Sequence, residues 1–204
     1  MSRGRRKRWL FTAAVALALA APIAALGAPG PEGPPLERGP DLAPAGSPSI
    51  GDAVDGIACE RSEQVLFHIH ARVTIYVDGR SRRIPYGIGI APPRKVAPTP
   101  AGGFVIGGSC FTWLHTHAAD GVIHIESPTK RTYTLGNFFD VWGEPLTAKR
   151  VGPARGHVTA FLDGKPWHGN PRSIPLRAHA QVQLDVGSPA VKAVLMPSSS
   201  WHGL

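Results

Sequence analysis

From Val65 to Val77 the chain reads VLFHIHARVTIYV and keeps a two-residue period for thirteen positions. Val65, Phe67, Ile69, Ala71, Val73, Ile75 and Val77 fall on one face of an extended chain, and Leu66, His68, His70, Arg72, Thr74 and Tyr76 fall on the other. A helix of 3.6 residues per turn would scatter both sets around its axis. The segment is therefore a strand, and its apolar face requires a second layer to pack against. Asp78-Gly79 follows as a two-residue hairpin turn, and Arg80 to Ile90 reads as the return strand, ending before Pro92-Pro93.

The same turn chemistry recurs. Val73-Thr-Ile-Tyr-Val-Asp-Gly79 with Ile84-Pro85 is echoed by Val158-Thr-Ala-Phe-Leu-Asp-Gly164 with Ile174-Pro175, either as a duplicated β-unit or as two hairpins that share a turn. Phe104–Ile106, Cys110–His117, Val122–Glu126 and Gln181–Val186 supply further strands. One segment follows a helical period: Leu135, Phe138, Phe139 and Trp142 recur after Thr134, a cap, with Gly143 as the stop. The expected fold is mainly β, a sandwich or small barrel of antiparallel strands with one short helix plugging a sheet.

A formal charge of +8 invites a nucleic-acid partner, but its distribution argues against one. Arg3, Arg5, Arg6, Lys7 and Arg8 precede an uncharged run from Trp9 to Leu26, the pattern of an export signal cut after Gly27 or of an uncleaved membrane anchor. Without residues 1–27 the chain keeps 17 basic and 14 acidic residues, a charge of +3. Residues 28–51 carry seven prolines without apolar periodicity and read as an extended linker with nothing to bury. The folded unit expected is then a single β-rich domain over residues 52–204, outside the cytoplasm, either released or tethered to a membrane through its N-terminus. In such a compartment Cys59 and Cys110 are expected to form a disulfide, which for this loop contributes about 4 kcal/mol in the chain-entropy model. Thiolate ligation of a metal is the alternative, although neither cysteine has a second at ligand spacing.

The chemistry lies in the histidines. Five of nine fall in three short pieces: His68-Ile-His70, His115-Thr-His117 and His124. Residues i and i+2 of a strand share a face, so each His-x-His pair presents two imidazoles together, roughly 7 Å apart along the strand. If Asp120-Gly121 is a two-residue turn, Ala119 pairs with Val122, His117 lies opposite His124, and His115 lies opposite Glu126. The hairpin then builds a patch of three histidines and one carboxylate, walled by Phe111, Trp113 and Val122, with Leu114, Ile123 and Ile125 on the reverse side. Imidazoles crowded this closely would repel one another if protonated together near their usual pKa of about 6.5. A divalent transition metal, copper or zinc, removes that conflict. The ligands expected are His68, His70, His115, His117 and His124. Glu126 either completes the set or acts as the catalytic base of a metalloenzyme. His157, His168, His179 and His202 have no such partner and read as surface or singly hydrogen-bonded residues.

Several resemblances attach to these motifs. The His-x-His pair on a β-hairpin resembles the first motif of cupins, but that motif places a glutamate three or four residues after the pair, where this chain has Ala118-Ala119-Asp120-Gly121. His115, His117 and His124 resemble the three-histidine zinc site of α-type carbonic anhydrases over about a dozen residues. Blue-copper proteins need a cysteine close to the histidines, and Cys110 has the opposite parity from His115 and His117. FHIHARVTIYVDG, CFTWLHTHAADGVIHIESP and TLGNFFDVWG together resemble a set of uncharacterised exported bacterial proteins, which implies a self-contained family and carries no activity. Three readings follow: a metal-binding domain for capture, transfer or sensing; a zinc-type hydrolase or hydratase; and a non-catalytic binding module.

Overall fold

The computed structural model describes residues 27–201 and 203–204. Apart from Gly27, the export signal or anchor expected from the sequence lies outside the described residues, as does His202. Among the described residues no helix is long and apolar enough to cross a membrane.

The molecule is mainly β. Its main sheet has seven strands: β1 (Phe67–Val77), β2 (Arg80–Arg82), β3 (Leu114–His115), β4 (Val122–Ser127), β5 (Val158–Leu162), β6 (Lys165–Trp167) and β7 (Gln181–Val186). They run in the order β6-β5-β7-β1-β4-β3, with β2 also paired to β1. All neighbours are antiparallel except β7 and β1, which run parallel. The sheet stays open, which leaves the sandwich of the two architectures expected. The Asp78-Gly79 and Asp163-Gly164 turns form as read. Asp78 and Gly79 have φ of 49° and 72°, and Asp163 and Gly164 have 50° and 75°, the positive angles that a two-residue hairpin with the sheet's twist requires. The return strand after Gly79 is shorter than expected, ending at Arg82, because Ile84, Ile88 and Ile90 turn inward and become buried.

Behind the apolar face lies α1 (Leu135–Trp142). Thr134 caps it through its hydroxyl and Asn137 returns the bond, forming a capping box, while Gly143 at φ 78° closes the other end. Leu135, Phe138, Phe139 and Trp142 pack in one core with Ala71, Val73 and Ile75 of β1 and with Leu114, Ile123 and Ile125. The histidine-bearing face of β1 is covered as well: His70, Arg72, Thr74 and Tyr76 are all buried.

Part of that cover comes from the proline-rich segment. Residues 28–51 do not behave as a tether with nothing to bury. Leu42 and Ala43 join the core, and Trp142 donates its indole N–H to the Pro44 carbonyl at 2.7 Å. The cause lies on β1. The buried Arg72 guanidinium needs acceptors, and it finds the carbonyls of Pro35 (2.8 Å) and Asp120 (3.0 Å) and the Glu37 carboxylate (3.1 Å). The segment is held where Arg72 holds it.

The expected disulfide Cys59–Cys110 is present. Cys59 belongs to a strand (Ile57–Glu60) that pairs with Phe111–Thr112. The bond therefore fastens the approach to β1 beside the approach to β3.

Candidate metal centre

Strand register brings the histidines together. On β1 and β4, His68 lies opposite Glu126 and His70 opposite His124. On β3 and β4, His115 lies opposite His124. Pairing that puts His115 opposite Glu126 and His117 opposite His124 is therefore off by two residues, although the shared face is as expected. The two-residue turn is overruled by tertiary partners. Thr116 leaves the ladder to bond the 85–88 loop: its N–H donates to Ile88, its carbonyl accepts from Gly87, and its hydroxyl donates to Pro85. Val105 N–H binds the His117 carbonyl, and Gly121 docks its own carbonyl on Val73 N–H. The 87–91 loop comes so close that a Cβ on Gly89 would lie 2.3 Å from the Leu114 carbonyl oxygen.

His117 is off the ladder, yet its ring returns to the site. His115 Nε2 and His117 Nε2 are 3.0 Å apart. His115 Nδ1–H donates to the Thr112 carbonyl at 2.8 Å, and His117 Nδ1–H donates to the Val105 carbonyl at 2.5 Å. A carbonyl only accepts, so each ring carries its proton on Nδ1 and presents an Nε2 lone pair to the other. Two facing lone pairs repel unless a cation lies between them. Metal-binding imidazoles are fixed by this kind of backbone acceptor.

A second pair stands beside the first. His68 Nε2 is 3.0 Å from His70 Nε2, and His70 Nε2 is 3.2 Å from His124 Nδ1. Glu126 touches both groups. Its Oε1 is 3.1 Å from His68 Nε2 and 3.2 Å from His124 Nδ1, and its Oε2 is 3.9 Å from His115 Nε2. That Oε2 is buried without a hydrogen-bond partner among the described residues.

The protonation pattern follows from burial. Loss of water, followed by the charge of His124, holds His70 down at about 3. Burial and the neighbouring imidazoles likewise lower His115 and His117. His124 is the exception. Burial works against its cation too, but hydrogen bonds to Glu126 and Glu32 outweigh it and raise the ring to about 9. These directions favour the neutral form of His70, His115 and His117 near neutral pH and the protonated form of His124.

Two acidic groups of the site are not apparent from the sequence. Glu32 comes from the proline-rich segment, and its Oε1 accepts His124 Nε2–H at 2.5 Å. Glu63 precedes β1, with its Oε1 3.4 Å from His117 Nε2. Neither lies in a patterned strand, so period and parity carry no signal for them. His179 stands apart from the centre, bonded to the Leu204 carbonyl and stacked on Trp201, and Asp140 on α1 pairs with Arg172.

No model of a known protein family matches the chain, and no curated protein or solved structure matches it. What the site can do is therefore read from its own donors. His68, His70, His124 and Glu126 form one set and His115, His117, His124 and Glu126 another, with the donor atoms of each set within 4.8 Å of one another. Both sets could hold a metal ion.

Proposed function

We propose that the protein binds a transition metal, copper or zinc, through its clustered histidines, and that it captures, transfers or senses that metal outside the cytoplasm. The observation that carries this reading is the facing pair of His115 and His117, with both Nδ1 protons committed to backbone carbonyls and both Nε2 lone pairs 3.0 Å apart. Imidazole nitrogen with carboxylate oxygen suits zinc and copper(II), and two nitrogens bound cis at the usual bond length of about 2.0–2.1 Å lie about 3 Å apart. The disulfide and the basic, then apolar, N-terminal sequence support a place in an oxidising compartment.

Burial of the donors favours holding a metal over turnover. Four of the five histidines and Glu126 are buried, and only His68, with its side chain 40% exposed, opens to solvent. Glu126 is within ligand distance of the imidazoles, so it serves as a ligand in this reading and not as the base of a hydrolase. The test is thermal unfolding with and without zinc. Free ion at a hundredfold excess over Kd stabilises by about 2.7 kcal/mol, a rise in Tm of roughly 5–10 °C for a domain of this size. His115→Ala/His117→Ala should reduce that rise clearly. An unchanged rise in the double variant would contradict the assignment.

A further inference from the structure

We propose that the centre is binuclear: one ion on the exposed side held by His68, His70 and His124, a second on the inner side held by His115 and His117, with Glu126 bridging them. The inference rests on the metal-binding reading above and adds its stoichiometry and ligand division.

The division is geometric. A single six-coordinate ion with bonds of about 2.1 Å would place all six donors within about 4.2 Å of one another, twice the bond length. The donors instead fall into two sets of four that share only His124 and Glu126. Each His-x-His pair has its own close Nε2–Nε2 approach of 3.0 Å, so each already has the spacing of two cis ligands on one ion.

Glu126 connects the pairs. Its Oε1 faces His68 and His124, while Oε2 points toward His115 and has no hydrogen-bond partner among the described residues. A buried carboxylate with one oxygen aimed at each pair is arranged as a bridge, and carboxylate-bridged ions typically stand about 3.5–4 Å apart. His124 belongs to the exposed-side ion. Glu32 accepts its Nε2–H, which leaves Nδ1 as the donor, 3.2 Å from His70 Nε2. Glu63, 3.4 Å from His117 Nε2 and itself at the surface, is placed to complete the inner ion.

The experiment is metal loading of the full chain. Untagged protein stripped with chelator is titrated with zinc or copper(II), passed through gel filtration and analysed for metal per chain. The expected result is two ions per chain, falling to one in His68→Gln, an exposed position whose change does not threaten folding, and to one in His115→Ala/His117→Ala. In the doubly loaded copper(II) form, coupling through Glu126 should reduce the integrated electron-spin signal well below two spins, and the one-ion His68→Gln form should recover a full single spin. One ion per chain in the unaltered protein overturns the binuclear assignment and leaves the metal-binding reading standing. No retained ion overturns both. Two uncoupled ions with an unreduced spin count overturn the bridging role of Glu126.

Discussion

Glu32 Oε1 accepts the Nε2–H of His124 at 2.5 Å across 92 residues of chain. The acceptor comes from a proline-rich segment before the domain and the donor from an interior strand, so the ring's orientation depends on the segment staying docked. Arg72 keeps it there through Pro35 and Glu37, two residues upstream of Thr74 on the same strand that carries His70. The consequence is a link between the N-terminal segment and the candidate metal centre.

Glu32→Ala should keep the fold and weaken metal binding by about 10–100-fold, the usual effect of losing the acceptor behind a ligating imidazole. Competition titration against a chromophoric chelator measures it. Arg72→Met, which releases the segment, should weaken binding in the same direction. An affinity within twofold of the unaltered protein in both variants would remove Glu32 from the site.

Much of the fold was legible because it rests on local rules. The period of Val65–Val77 from Phe67 onward, the Asp78-Gly79 and Asp163-Gly164 turns and the Thr134 to Gly143 helix with its caps all form as their residues dictate, while Val65 and Leu66 stay outside the strand and exposed. The shared face of His68, His70, His115 and His124 was legible for the same reason, since parity along strands survives a register error of two. The register itself was not. It depends on Thr116 bonding to the 85–88 loop, a partner about thirty residues away that no pattern within the hairpin encodes. Glu32 and Glu63 were hidden similarly, each lying in a segment without periodicity and recruited by a ring from elsewhere.

Chelator-treated protein should be most stable near neutral pH. His70 is depressed to about 3 from about 6.5, so the unfolded chain takes up a proton below pH 6.5 that the folded one refuses. Stability is then lost as pH falls, by about 1.4 kcal/mol per unit for this group, with His115 and His117 acting in the same direction. His124, raised to about 9, does the reverse: its contribution is complete below 6.5 and disappears as pH rises through 9. Urea midpoints at pH 5, 7 and 9.5 should therefore peak at 7. A flat or monotonic profile would contradict the assigned protonation states.

Reducing the Cys59–Cys110 bond, or replacing both residues by serine, should cost about 4 kcal/mol of stability in the chain-entropy model. It should also act unevenly on the site. The bond secures the approach to β3 and the segment that carries Glu63, so the inner donors His115 and His117 lose support while His68 and His70, on the long central strand, keep theirs. Metal titration of the serine variant under conditions where it remains folded should show the inner ion weakened more than the outer. Equal weakening would mean that the bond stabilises the domain without positioning the site.

The most direct test of the account is the metal content of untagged full-chain protein recovered from cells, without added metal and without an affinity step that scavenges ions. The account predicts copper or zinc in at least stoichiometric amount, retained through gel filtration, and a Tm that drops when chelator removes it. Metal-free protein whose Tm ignores both chelator and added ion would contradict it.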